Sequence, residues 1–202
     1  MTNKAILEEC KRILNSISNF EYVTLPKDFT FLMENFSKAP YWELKRRDRQ
    51  IVKIQKKPSG SYGNSCFYLI RDDGTSTDFA YTKIFRKDPK LNDVLNAMRN
   101  AIDPIISDFR KRFEPFVYDG TEVSRVEDAD VDHYDLSFKA LADIWIEKNG
   151  GIEALYEKVN LTEDNSSTTS FTDTTLIEEF VSFHNANTHL RFLPKDVNRA
   201  KR

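Results

Sequence analysis

The chain has 202 residues, of which 40% are hydrophobic and 31% charged, with a formal net charge of −2. That length buries one substantial core or two small ones, and the near-neutral balance excludes a uniformly basic coat. No apolar run approaches the ~20 residues that cross a bilayer. The two cysteines, Cys10 and Cys66, cannot build a four-cysteine zinc site or a disulfide framework. With an amphipathic rather than apolar start after Met1, the expectation is a soluble, cytoplasmic protein with no membrane partner.

In chain order, Lys4 to Ser16 reads as a helix with Ile6, Leu7, Cys10, Ile13 and Leu14 on one face. A second short helix is expected from Phe29 to Phe36. Between Lys38 and Lys57 eight basic residues meet only Glu43 and Asp48, which makes Arg46, Arg47, Arg49 and Lys53 candidates for nucleic-acid contact. A run of like charge is also what a solvated face carries. Gln50 to Gln55 is strand-like, and Pro58 to Asn64 reads as a loop.

The clearest hairpin follows: Cys66 to Arg71, a turn at Asp72-Asp-Gly-Thr75, and Thr77 to Phe85. Its Asp-Gly supplies the positive φ of a tight turn. Arg71, Asp73, Gly74, Asp78, Phe79, Tyr81 and Lys83 fit the pattern of the defective-chloroplasts-and-leaves domain, which residues 40 to 113 resemble; Ala80 stands at a serine place. That resemblance implies a nucleic-acid-binding region, since such domains occur in proteins implicated in RNA processing and in bacterial or phage chains beside an HNH-like half.

Leu91, Val94, Leu95, Met98 and Ile102 follow helical spacing, an apolar stripe read as core packing. Asp103-Pro104 is expected to cap and restart a helix through Phe113. A short hairpin between Glu114 and His133 should turn at Asp119-Gly120. Helices are expected at Ser137 to Lys148 and Ile152 to Val159, split by Asn149-Gly-Gly151. A polar loop at Asn165 to Ser170 precedes a helix capped by Asp173 and carrying Leu176, Ile177, Phe180 and Phe183.

The end of the chain carries the most chemistry. Val131-Asp132-His133 and the terminal His189-Leu-Arg-Phe-Leu-Pro-Lys-Asp-Val-Asn-Arg-Ala-Lys-Arg202 resemble the two halves of an HNH (ββα-metal) nuclease site. Leu190 and Leu193 occupy its two leucine places, Asn198 the final His/Asn place and Lys201 the lysine place. Pro194 and Val197 stand where many relatives carry cysteines, and His189 where they carry asparagine.

The resemblance implies His133 as general base. It implies Asp132, on the strand's other side, as a ligand of Mg²⁺ or Mn²⁺ together with Asn198, all three converging at the strand end. Two protein oxygens plus water suit these ions better than zinc. An imidazole near its unperturbed pKa of ~6.5 suits water activation. His189 takes the place of the asparagine that orients the base, and His184, Asn185 and Asn187 are alternative candidates for that support. Arg191, Lys195, Arg199, Lys201 and Arg202 would grip the DNA backbone.

The implied fold class is α+β. N-terminal helices and a small antiparallel sheet occupy residues 1 to 113, and a ββα-metal motif residues 114 to 202, with a helical insertion at about 137 to 182. The leading functional expectation is a metal-dependent endonuclease of restriction, homing or nicking type acting on double-stranded DNA, with a homodimer compatible. The alternative is a non-catalytic RNA- or DNA-binding module on a degenerate HNH scaffold. A regulatory partner protein is a third class, with no motif behind it.

Overall fold

The structure, a computed structural model, describes residues 1–59, 64–160 and 169–201, and the fold is α+β. The described residues divide into two compact units, residues 1–89 and residues 90–160 with 169–201.

In the first unit, α1 (Asn3–Asn15) starts at Thr2, whose hydroxyl accepts from the Ala5 N–H. Its Ile6, Cys10, Ile13 and Leu14 face is buried, as the spacing predicts. Helix α2 (Pro26–Phe36) begins earlier than its apolar periodicity suggests, because Pro26 occupies the first turn. A five-residue α3 (Trp42–Arg46) follows. Three antiparallel strands, β1 (Ile51–Ser59), β2 (Asn64–Arg71) and β3 (Ser76–Phe79), form a sheet in that order. The expected loop at Pro58 to Asn64 is shorter than the composition implies, since Pro58 pairs with Ser65 and Ser59 with Asn64; its centre, residues 60–63, lies outside the described residues.

The second hairpin strand ends at Phe79, not Phe85. There the Tyr41 hydroxyl donates to the Ala80 carbonyl, and Tyr81–Lys83 form a single 3₁₀ turn that delivers Ile84 into the core. Phe36, Phe67 and Phe79 fill that core, with Phe36 and Phe79 stacked at 4.1 Å between ring centres. Arg71 is 1% exposed: its guanidinium donates to the Lys45 carbonyl and the Thr75 hydroxyl, closing the turn beneath α3.

The second unit is organised by α4 (Pro89–Arg110), a continuous helix with Pro104 inside it. The expected break at Asp103-Pro104 does not occur. Ile102, Ile105 and Ile106 prolong the stripe of Val94, Ala97 and Met98 into one core, and that packing outweighs the ~3 kcal/mol an interior proline costs. Helix α4 lies within the second unit.

A hairpin of β4 (Phe116–Tyr118) and β5 (Thr121–Val123) turns at Asp119 and Gly120, both at positive φ. After β6 (Ala129–His133) come α5 (Phe138–Lys148), α6 (Gly151–Tyr156), a short β7 (Val159–Asn160) and β8 (Ser170–Phe171) pair, and α7 (Thr174–Asn187). Asp173 caps α7 through the amides of Thr175 and Leu176. The segment expected as a helical insertion supplies Ala142, Trp145, Leu155, Phe171, Leu176 and Phe180 to the core. Most of the expected polar loop from Asn165 lies outside the described residues. The chain closes with β9 (Leu190–Pro194) and α8 (Lys195–Ala200). Among the described residues, no helix is long and apolar enough to cross a membrane.

Candidate functional site

Strands β6 and β9 pair antiparallel, Asp132 opposite Arg191 and His133 opposite Leu190, and α8 packs on both. Aromatic rings brace the pair from behind: Phe192 of β9 contacts Phe109, Phe113 and Phe116. Side chains alternate along a strand, so β6 presents two chemistries. Asp130 and Asp132 face α8. His133 lies on the other face, against His184 of α7 and Phe138 of α5.

On the α8 face, Asp132 Oδ2 accepts from Arg191 Nε and from Lys201 Nζ, each at 2.9 Å. Burial alone would raise the Asp132 pKa, but the hydrogen bonds from Lys201 and Arg191 overcome it and hold the carboxyl below its usual range. Asn198 Nδ2 donates to Asp130 Oδ2 at 3.3 Å. Arg191 also lies over the Tyr134 ring, 4.5 Å from its centre. The contact geometry leaves Asp132 Oδ1, Asp130 Oδ1 and the Asn198 amide oxygen without a hydrogen bond to any described residue. These hard oxygen donors suit Mg²⁺ or Mn²⁺. Among the described residues, no group of three or more His, Cys, Asp or Glu side chains is placed to hold a metal; a cation here would draw on the Asn198 oxygen and on water.

On the opposite face, His133 Nε2 lies 3.0 Å from His184 Nε2, with the rings perpendicular, and its ring also packs against Phe138. His184 is 1% exposed, and its Nδ1 lies 3.1 Å from Asn185 Oδ1. Burial, reinforced by His184, pushes the His133 pKa down to about 4; burial also lowers that of His184, against the Asn185 hydrogen bond. The ~6.5 expected from an unperturbed ring is therefore replaced by a side chain that is neutral at pH 7. The tautomers follow. An amide oxygen only accepts, so His184 carries its proton on Nδ1 and presents a lone pair at Nε2. His133 donates to it through Nε2–H, which leaves His133 Nδ1 as an acceptor.

The other expected residues are placed as follows. His189 is exposed; its Nδ1 lies 2.5 Å from Asp135 Oδ2 and its amide donates to the same oxygen, so His184, not His189, contacts His133. Asn187 turns back to the Phe183 carbonyl of its own helix. Lys195 and Arg199 form no ion pair with a described residue, and Arg202 lies outside the described residues. In the first unit Arg46 is paired with Glu43 at 2.7 Å, Arg49 lies 3.5 Å from Asp73, Arg47 caps α3 in the left-handed region, and Lys53 sits over the Tyr22 ring. Sequence reasoning passed over Asp130 and left His184 as one candidate among several. The period of two places Asp130 beside Asp132, a signal that was present; the His133–His184 contact depends on how α7 docks.

The model of a protein family of unknown function, DUF3223, matches residues 11–84, from within α1 to the core residue Ile84. A solution NMR structure of an uncharacterized protein from Rhodospirillum rubrum is similar at 25% identity, over 41% of this chain and 77% of its own, with a TM-score of 0.37. No curated protein matches the chain.

Proposed function

We propose that the chain is a metal-dependent DNA endonuclease of HNH-like type whose site is built from β6, β9 and α8. One observation carries the reading. Segments 69 residues apart at Asp132 and Lys201 meet as an antiparallel strand pair followed at once by a helix, with carboxylates and an amide on one face and a neutral histidine on the other.

In this reading His133 Nδ1 takes the proton of the water whose oxygen attacks phosphorus, while the P–O3′ bond breaks and the leaving oxygen is protonated from solvent. His184 and Asn185 hold His133 in the tautomer that exposes Nδ1. Asp132 and Asn198, with Asp130 beside them, would hold Mg²⁺ or Mn²⁺. When bound, such an ion supplies Lewis-acid neutralisation of the phosphate and the leaving oxygen. Lys201, 44% exposed at its side chain, is the partner of Asp132 most easily displaced toward a phosphate. Lys195 and Arg199 extend that contact along double-stranded DNA without reading sequence.

The alternative is a non-catalytic nucleic-acid-binding module, and one observation favours it: Arg191 and Lys201 already neutralise Asp132. Incubating purified protein with duplex DNA, modified DNA included, in Mg²⁺, Mn²⁺ or EDTA separates the two. The nuclease reading expects metal-dependent cutting that His133→Ala slows by ~10²–10⁴-fold with duplex affinity retained. It also expects Asn198→Ala to raise the metal requirement. Binding without cutting on any substrate leaves the module reading in its place.

A further inference from the structure

The sheet of the first unit has one face packed on α1 and α2 and a second face that carries different chemistry. Ile54, Phe67, Leu69, Thr77 and Phe79 are buried on the inner side. The register puts Lys53, Gln55 and Lys57 of β1 beside Ile70, Tyr68 and Cys66 of β2 on the outer side. The segment Phe20–Val23 extends the sheet past β1. Tyr22 bridges to Gln55, and backbone bonds join Phe20 to Lys56, Glu21 to Lys56 and Val23 to Ile54. Tyr22, Gln55, Tyr68 and Asp78 thus form one row across four strands. Two strand spacings set the two tyrosines roughly 10 Å apart.

Each tyrosine carries a lysine. Lys53 Nζ lies 5.3 Å from the centre of the Tyr22 ring, and Lys57 Nζ 4.7 Å from that of Tyr68. Neither lysine makes an ion pair with a described residue, in contrast to Arg46 and Arg49. The acids nearby are already engaged: Asp78 accepts from Lys45 at 2.8 Å, and Glu21 accepts from the Ser18 amide. At the same edge Phe20 is 64% exposed and held at φ 70°, a conformation that bulky residues rarely adopt. An exposed aromatic held in a strained backbone is not explained by core packing.

Aromatic rings interleaved with unpaired cations on a sheet suit one partner chemistry: unstacked bases lying on the rings, with phosphates beside the ammonium groups. A duplex hides its base faces and would use only the lysines. We infer that the outer face of β1 and β2, with the edge segment at Tyr22, binds a single strand of nucleic acid through stacking on Tyr22 and Tyr68 and phosphate contacts from Lys53 and Lys57. This site uses no residue of β6, β9 or α8 and needs no metal.

The test uses the full chain in EDTA, so cleavage does not enter the readout. Fluorescence anisotropy follows labelled oligothymidine and oligouridine of about a dozen nucleotides, with a duplex of equal length as competitor. Tyr22→Ala and Tyr68→Ala should each weaken single-strand binding roughly 5- to 100-fold. Tyr68→Phe should keep it, because the ring face acts and not the hydroxyl. Lys53→Gln and Lys57→Gln should each flatten the salt dependence by a slope of ~0.7. Val117→Ala, an exposed change in the second unit, should change nothing. The DNA and RNA arms separate the two sources of the strand. Duplex competing as well as single strands, or single-strand binding indifferent to Tyr22→Ala with the melting temperature unchanged, overturns the inference. Neither result bears on metal-dependent cutting.

Discussion

The His133–His184 contact predicts acid sensitivity of the second unit. The folded state holds the His133 pKa at about 4, against ~6.5 for an exposed ring, because burial and the neighbouring imidazole penalise its charged form. Between those two values the unfolded chain binds more protons than the folded one, so stability rises with pH across that window. The contribution is complete above pH ~6.5 and is lost as pH falls toward 4. At 1.36 kcal/mol per unit, the loss is at most about 3 kcal/mol. For a unit of this size, at roughly 4 °C per kcal/mol, that is a fall in Tm on the order of 10 °C. Carboxylates such as Asp132 and Asp135, held below their usual range, act lower, beneath pH ~3.8. Thermal melts by circular dichroism from pH 7.5 to 4, on wild type and on His133→Gln, isolate the effect; glutamine keeps an amide donor toward His184 without titrating. The wild-type curve should be distinctly steeper between pH 6.5 and 4. Parallel curves would refute the account of a neutral, buried-side imidazole and, with it, the tautomer assigned to His133.

Two further changes probe the scaffold. Arg71→Met should destabilise the first unit by about 2–4 kcal/mol in a urea melt, because it leaves the Lys45 carbonyl without its buried charged donor; a loss under 0.5 kcal/mol would mean that water replaces the guanidinium. Pro104→Ala should stabilise the second unit by ~1–2 kcal/mol through a restored backbone donor inside α4, and a lower Tm would show that the ring itself is a required packing element.

Local elements were legible where local physics decides them. The Asp-Gly and Asp119-Gly120 turns, the Asp173 cap and the face of α1 each rest on residues a few positions apart, and they form as their chemistry dictates. Where distant packing decides, local signals misled. Asp-Pro has the form of a helix start, yet Pro104 sits within α4 because Ile102, Ile105 and Ile106 have a core to enter. By composition alone the acidic stretch from Glu127 to Asp135 would be one cation-attracting cluster. Folding instead distributes it: Asp128 to Arg125, Asp130 to Asn198, Asp132 to Arg191 and Lys201, and Asp135 to His189. Four of those five partners lie more than fifty residues away, so composition alone could not assign them. Folding divides the basic run at Lys38 to Lys57 likewise: Lys45, Arg46 and Arg49 pair with Asp78, Glu43 and Asp73.

The same limit shapes the candidate site. Asp132 and His133 are neighbours in sequence, and strand alternation forces them to opposite faces, where their surroundings drive their pKa values by different means. Asp132 meets two cations and stays ionised well into acid. His133 meets a second imidazole and an aromatic ring and stays neutral. The proposed nuclease reading requires both faces to serve one phosphate from the end of β6. That reading therefore rests on the pairing of β6 with β9. In the sequence the two distant segments are linked only by a resemblance, not by any local pattern. Changes that slip this register by one residue would exchange the faces, placing an imidazole under α8 and a carboxylate against His184.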